Sequence, residues 1–348
     1  MAEDPPILSV VIPTMGRDTL LPTVQSILDS DHSGQVEIIV AGSISDAEMQ
    51  ESLGRLVAAD SRVRHLDVSY STGDSSRKKN DGLSASRAEF VAFIDDDVIV
   101  AGNWPRSLLE AFTDDAVGLV GGPALVPDEL PLSGRLAGWA LMSKASGYSR
   151  ERLVAGKEQI RAVRWSRIIG CNMAYRKSVL MEIDGFNPRF WPGEEMLASY
   201  LTEKAGHTLN FNPGASVHHF PRSTIHGFWK QIYGYGATRI RLIRAGVELE
   251  PVTLVPLLFV VSTLVLAAFS FIYSALALLL AFELLLYGLF DAWCTADVIR
   301  QSGRPSNILV FFFIPLMHVS YGVGAGVELI LPNRDLSENA VSAAGGGD

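Results

Sequence analysis

Cysteine is scarce in this chain: Cys171 and Cys294 are the two among 348 residues. They lie far apart and in different regions, so neither a disulfide framework nor a zinc-binding spacing can be built from them, and both are expected to be reduced thiols. Blocks of lysine and arginine are also missing. With 29 basic residues against 38 acidic ones and a formal net charge of −9, the chain lacks the basic face of a general nucleic-acid binder, and no nucleic-acid partner is expected. The opening MAEDPPILSVVIPT has no basic stretch and no long apolar core. That argues against a secretory signal peptide and for a globular part in the cytoplasm.

Long apolar runs are absent up to about residue 250, then dominate from Pro251 to Leu331. Before that boundary, short β-rich runs alternate with helical spacing. ILSVVIP (7–13), VEIIVAG (36–42) and VRHLDV (63–68) read as strands, while TLLPTVQSILDS (19–30) and DAEMQESLGRLVAA read as helices. Such β, α, β, α, β alternation predicts a mostly parallel sheet covered by helices on both faces. A further amphipathic helix over 78–89 leads into FVAFIDDDVIV (90–100), continuously apolar as a central strand should be, except for Asp95, Asp96 and Asp97. The stretch 123–168 is expected to form loops and short helices.

Ligands of open α/β sheets bind beyond the carboxyl ends of the strands, which is where the three aspartates would stand. Adjacent carboxylates repel one another, and a hard divalent cation, Mg²⁺ or Mn²⁺, with phosphate oxygens as co-ligands offsets that repulsion. A solvated, helix-capping turn is the plainer alternative. A second acidic pair, Glu194 and Glu195 in WPGEEM, stands at the expected start of a helix, where negative charge is favourable in its own right.

Four segments, SVVIPTMGR, KKNDGLSASRAEFVAFIDDDV, GCNMAYRKSVLMEIDGFNPRFWPGEE and ASVHHF, occur in the order found in inverting family-2 glycosyltransferases of the GT-A fold. The chain resembles that family over about residues 7–220. The resemblance implies a Rossmann-like, mostly parallel nucleotide-sugar domain, and a site assembled from these segments. Asp97 and Asp95 would hold the metal with His218, and Asp96 would face ribose or serve as a second ligand. Pro13, Thr14 and Arg17 would meet the nucleoside, and Lys79 and Asn80 the base or diphosphate. Glu195 would act as general base on the acceptor hydroxyl with Glu194 as second candidate, and Asn172 and Trp191 would flank the acceptor pocket. The chain departs from the family pattern after its second strand, where Ala41 and Gly42 replace the usual paired aspartates, and at Leu201, where many relatives have arginine.

Past the boundary, the apolar length implies about three membrane helices, at 252–271, 274–293 and 308–330, within a region 251–331. Glu283 and Asp291 are costly in the second unless paired or facing water. Arg239, Arg241 and Arg244 precede the first span, and Arg300 and Arg304 separate the second from the third. The positive-inside rule then places both segments and the domain over 1–224 in the cytoplasm, with the tail over 332–348 disordered and outside. IHGFWKQIYGYGATRIRLI, in the linker 225–250, reads as an interfacial helix. The expected protein is a multi-pass, metal-dependent glycosyltransferase of the cell membrane. It would transfer from a nucleotide-sugar to a lipid-linked glycan or glycolipid; a polyprenyl-phosphate acceptor and a non-catalytic sugar-nucleotide-binding scaffold are the alternatives. The sequence leaves oligomeric state open.

Overall fold

The computed structural model describes residues 6–32, 35–71, 74–127, 130–154, 159–190, 192–220 and 222–331. Trp191 and the tail over 332–348 lie outside them. In chain order the elements begin β1 (Leu8–Pro13), α1 (Leu20–Leu28), β2 (Val36–Ala41), α2 (Ala47–Ala59), β3 (Val63–Leu66), α3 (Asp74–Ala85), β4 (Phe90–Ile94), β5 (Val98–Val100) and α4 (Trp104–Glu110). There follow β6 (Val117–Gly121), β7 (Ala124–Leu125), α5 (Leu132–Met142), β8 (Arg161–Ala162), β9 (Asn172–Arg176), α6 (Lys177–Glu182), α7 (Glu194–Lys204), β10 (Thr208–Phe211) and β11 (Val217–His219). The chain ends in α8 (Ile225–Arg244), α9 (Val255–Ser270), α10 (Ser274–Ser302) and α11 (Val310–Ile330).

Two compact units result. The first comprises the residues up to Leu125 together with 151–220. Its main sheet has the order β3-β2-β1-β4-β9-β6-β10-β8, with β1 parallel to both β2 and β4, β2 parallel to β3, and β9 antiparallel to β4 and β6. β1, β2 and β4 are rich in Val, Ile and Phe and almost wholly buried, as strands covered on both faces must be. α2 starts at Asp46, whose Oδ1 accepts the Met49 N–H at 2.8 Å; this aspartate is a helix cap.

The run 90–100 is not one strand. β4 ends at Ile94, the aspartates make the turn, and β5 joins a separate three-stranded sheet in the order β5-β11-β7. The turn carries the aspartates beyond the carboxyl end of β4, where Asp96 and Asp97 meet Thr14 and Arg17 instead of ladder partners.

The second unit comprises 126–150 and, among the later described residues, 222–331. The stretch 126–150 therefore belongs with the helical unit, not with the α/β domain as the expected boundary at 224 implies. α5 supplies Leu136, Ala137 and Ala140 to a core shared with Phe228, Ile232, Cys294, Val298, Val310, Phe313, Ile314 and Met317. Among the described residues three helices are long and apolar enough to cross a membrane, Pro251–Ser270, Ser274–Ser302 and Pro305–Ile330. The second runs nine residues beyond the expected 293, until Gly303 ends it in the left-handed conformation at φ 64°. Both acids flagged within it have hydroxyl partners: Glu283 accepts from Ser262 at 2.7 Å and Thr263 at 3.1 Å, and Asp291 from Thr295 at 3.4 Å.

Candidate active site

β1 and β4 are adjacent and parallel, so the residues following them emerge side by side. Thr14 Oγ1 donates to Asp96 Oδ2 at 2.6 Å across that junction, and the Met15 N–H reaches the same oxygen at 3.4 Å. Arg17 extends over the turn, its Nη1 lying 3.1 Å from Asp96 and 2.6 Å from Asp97. Pro13 closes β1 just before this loop. The first loop is held from behind by Lys78, a buried residue missed in the sequence, which donates to Thr14 O at 2.8 Å.

Across the turn stands a histidine, but not the expected one. Successive side chains of a strand point to opposite faces. His218 of β11 is exposed, whereas His219, opposite Val98 in the β5 register, brings Nε2 to 3.3 Å from Asp97 Oδ1. His219, Asp95 and Cys171 offer ligand atoms within 4.8 Å of one another. With two histidines in succession, the sequence did not reveal which one faces the aspartates.

The expected acid pair is present beside this cluster. Glu194 and Glu195 open α7, and the Glu194 carboxylate accepts the Gly193 N–H at 3.1 Å. Lys79 lies between them, 3.2 Å from Glu194 Oε1 and bonded to Glu195 Oε1, with its ammonium 5.4 Å from the centre of the Phe186 ring. Its side chain is 1% exposed, so Lys79 is a buried counter-ion to the acids rather than a contact for base or diphosphate. Burial alone would lower its pKa, but Glu195, Glu194 and Asp95 together raise it, and the lysine stays charged.

The two glutamates are not equivalent. Glu194 is 1% exposed, and burial, reinforced by the Glu195 charge, pushes its pKa up to about 7. Glu195 is 22% exposed; burial opposes its ionisation, but Lys79 outweighs that and holds the group below its ordinary value. Asp95 is raised, by burial first, against the pull of Lys79 and His219.

Two expected contacts have other work. Asn80 Nδ2 donates to Phe186 O at 2.8 Å and its Oδ1 accepts the Phe186 N–H at 2.9 Å, so the amide clamps the turn at Gly185, where φ is 71°. Asn172 is fully buried: its Oδ1 accepts from the Trp104 indole at 2.9 Å, and its Nδ2 donates to Ala215 O at 2.8 Å and Pro123 O at 3.2 Å. An amide with both ends committed to the protein has little left for a sugar. The missing second-strand aspartates also have a geometric reason. A Cβ on Gly42, where φ is 153°, would lie 2.1 Å from Thr14 O, so the first loop packs on bare backbone there.

The donor set fits a divalent cation. Asp95, Asp97 and His219 present oxygen and imidazole nitrogen, suited to Mn²⁺ or Mg²⁺. Burial, followed by the nearby Asp95, Asp97 and Glu195 charges, drives the Cys171 thiol well above its ordinary pKa. Five carboxylates are gathered here, with Arg17 and Lys79 as the permanent cations bonded to them.

A mostly parallel α/β sheet that delivers an acidic turn beside a second acidic pair defines a GT-A protein. Residues 9–184, half of the chain, match Glycosyl transferase family 2, and the chain belongs to that family. It is 28% identical over 194 residues to a GalNAc(5)-diNAcBac-PP-undecaprenol beta-1,3-glucosyltransferase of Campylobacter jejuni, covering 55% of this chain and 58% of that one. It is also 28% identical over 233 residues to a pre-mycofactocin glycosyltransferase of Mycobacterium tuberculosis, covering 66% of this chain and 46% of that one. The chain thus spans about half the length of the curated relatives it matches. A mannosyltransferase of Pyrobaculum calidifontis, solved in complex with GDP-Man and Mn²⁺, shares the fold at a TM-score of 0.57 and 13% identity, over 94% of this chain and 88% of that one.

Proposed function

We propose that this chain is a membrane-anchored, inverting glycosyltransferase that moves a sugar from a nucleotide-sugar to a lipid-linked glycan or glycolipid, its α/β unit on the cytoplasmic face. The observation that carries the proposal is the gathering of Asp95, Asp97 and His219 beside a glutamate pair that shares the buried Lys79 as counter-ion. The curated relatives support the activity class, and the undecaprenol-linked acceptor of one of them supports a lipid-linked substrate.

Asp95, Asp97 and His219 would hold Mn²⁺ or Mg²⁺, which supplies charge neutralisation to the diphosphate leaving group. Arg17, next to them and partly exposed, adds a fixed positive charge on the same side. Glu195 accepts the proton of the acceptor hydroxyl as the new oxygen–carbon bond forms at the anomeric centre and the bond to phosphate breaks on the opposite face. Glu195 is the base because it combines ionisation with access; Glu194, buried and with its pKa raised, partners Lys79 instead.

The test is transfer from a panel of nucleotide-sugars to polyprenyl-linked acceptors with Mn²⁺ present, comparing the native chain with Glu195→Gln. Loss of general-base assistance is expected to slow transfer about 10²- to 10⁴-fold. Equal rates in the two proteins would remove Glu195 from the mechanism, and release of nucleotide by neither would remove the enzymatic reading.

A further inference from the structure

α8 and α11 run in the same direction, side by side. Near their beginnings the Phe228 and Phe313 rings stand 5.8 Å apart, and Trp229 O in the first turns of α8 accepts from Ser320 Oγ at the middle of α11 at 2.6 Å. At their ends Arg241 meets Glu328 at 2.9 Å, and Arg244 donates to Glu328 O and Leu329 O at 2.8 and 2.9 Å, capping the last turn of α11. Midway the backbones touch: a Cβ on Gly236 would lie 2.0 Å from Tyr321 O, and one on Gly324 2.1 Å from Tyr233 O.

α9 and α10 form an antiparallel hairpin. Phe259 stacks on Tyr287 at 4.3 Å, Ser262 bonds Glu283, and the chain turns back at Phe271, which is 92% exposed. If this hairpin crosses a bilayer, the beginning of α9 and the end of α10 share one side. The beginning of α9 lies at the ends of α8 and α11, where Leu254 and Leu257 pack with Ile240 and Ala325. The end of α10 lies at the other pair of ends, where Cys294 and Val298 share a core with Phe228, Val310 and Phe313. Both ends of α11 are therefore on that one side.

Length does not decide the matter, because 21 residues of helix reach about 31 Å and could span. Charge agrees with the contacts. α8 carries Lys230, Arg239, Arg241 and Arg244, too many for the hydrocarbon, and α11 is bound to it along its length and must share its depth. Headgroup level is also marked nine residues before the end of α10, where Lys144 sits 4.4 Å over the Trp293 ring.

We infer that α8 and α11 form a helix pair lying along the lipid surface on the side from which the hairpin enters, so that the chain crosses the membrane twice and α11 returns to the side of α8. The partner of this pair is the headgroup and upper acyl layer of the bilayer. The inference rests on the membrane anchoring proposed above and replaces the expected third span and outside tail.

The test labels the full-length chain in sealed vesicles with a membrane-impermeant maleimide, in the native background where Cys171 and Cys294 are buried. Three reporters are compared: Ser223→Cys before α8, Ile272→Cys at the hairpin tip, and a cysteine appended after Asp348. The expected result is labelling of the first and third from one side and of the second only from the other. An appended cysteine that labels with Ile272→Cys means α11 crosses, and overturns the inference. An Ile272→Cys that labels with Ser223→Cys means the hairpin does not cross, and removes the anchoring with it. Neither outcome bears on the glycosyl-transfer assay, so the two readings fail separately.

Discussion

Glu195 has no slack on the side of Gly170, where an added Cβ would come within 2.9 Å of its Cδ and Cγ. The carboxylate end is flexible, so Gly170→Ala should displace it without unfolding the domain. A shift of about 1 Å in a general base can cost on the order of 10²-fold in rate. The expected outcome is a loss of that order in kcat with thermal stability close to native, read by transfer assay and calorimetry. Lys79→Met should behave in the opposite way. Removing one partner of a buried charge cluster typically costs about 3–5 kcal/mol, so a large fall in unfolding free energy is expected, partly restored by adding Glu194→Gln. Residue types at the site were legible in the sequence; their hydrogen-bond commitments were not. Asn80, Asn172 and Lys79 are polar residues in motif positions, yet each is committed to protein groups that only the folded chain brings near. His218 and His219 differ by a single step of strand register, which two adjacent histidines cannot disclose.

The strands depend on a buried carboxylate of a different kind. Glu37 of β2 accepts Ser9 Oγ of β1 and the Arg87 N–H, both at 2.6 Å, and the Arg87 guanidinium at 2.8 Å, while Ala88 N–H donates to Ser9 Oγ at 3.1 Å. This knot fixes β1 and β2 against the entry to β4 and hence the level at which Thr14 and the aspartates emerge. Burial raises the Glu37 pKa, but the Ser9 and Arg87 hydrogen bonds and the Arg87 charge together lower it below its ordinary 4.5. A carboxyl depressed in the folded state stabilises the fold above its unfolded pKa, and that contribution is lost as pH falls through the folded value. Native protein should therefore lose stability on acidification below about pH 4.5, and Glu37→Gln should start less stable at pH 7 and show a shallower acid limb in denaturant titrations. Glu37→Gln with an unchanged acid limb would remove the knot from the account. The alternation that locates β1, β2 and β3 was plain from their β-branched runs. The break between β4 and β5 was not, because an apolar stretch on both sides of the aspartates looks the same whether one sheet or two receives it.

At the scale of the whole chain, the shift in composition near residue 250 marks the membrane-facing helices, but it does not mark where the two units divide. α5 begins 118 residues upstream of Glu250 and nevertheless packs with the helices beyond it, because Leu136, Ala137 and Ala140 find apolar partners there, among them Cys294, Val298, Val310 and Phe313. The helices themselves set the last prediction. Protein contacts bury 17% of the most apolar stretch of Pro251–Ser270 and 6% of that of Ser274–Ser302, against 44% for Pro305–Ile330. Exposed apolar surface on this scale is unfavourable in water by roughly 25 cal/mol per Å², so α9 and α10 have the surface of helices that could cross a membrane. α11, by contrast, already has much of its surface covered by α8 and α9. Sodium carbonate or high salt, which strip proteins held by charge or by a surface helix, should leave the full-length chain in the membrane pellet, and only detergent should release it. Replacing Leu258, Leu264, Leu278 and Leu285, all exposed on the hairpin, with serine should move the protein into the carbonate supernatant. Retention of that variant in the pellet would mean that a segment other than the hairpin crosses the bilayer, and would count against a surface-lying α11.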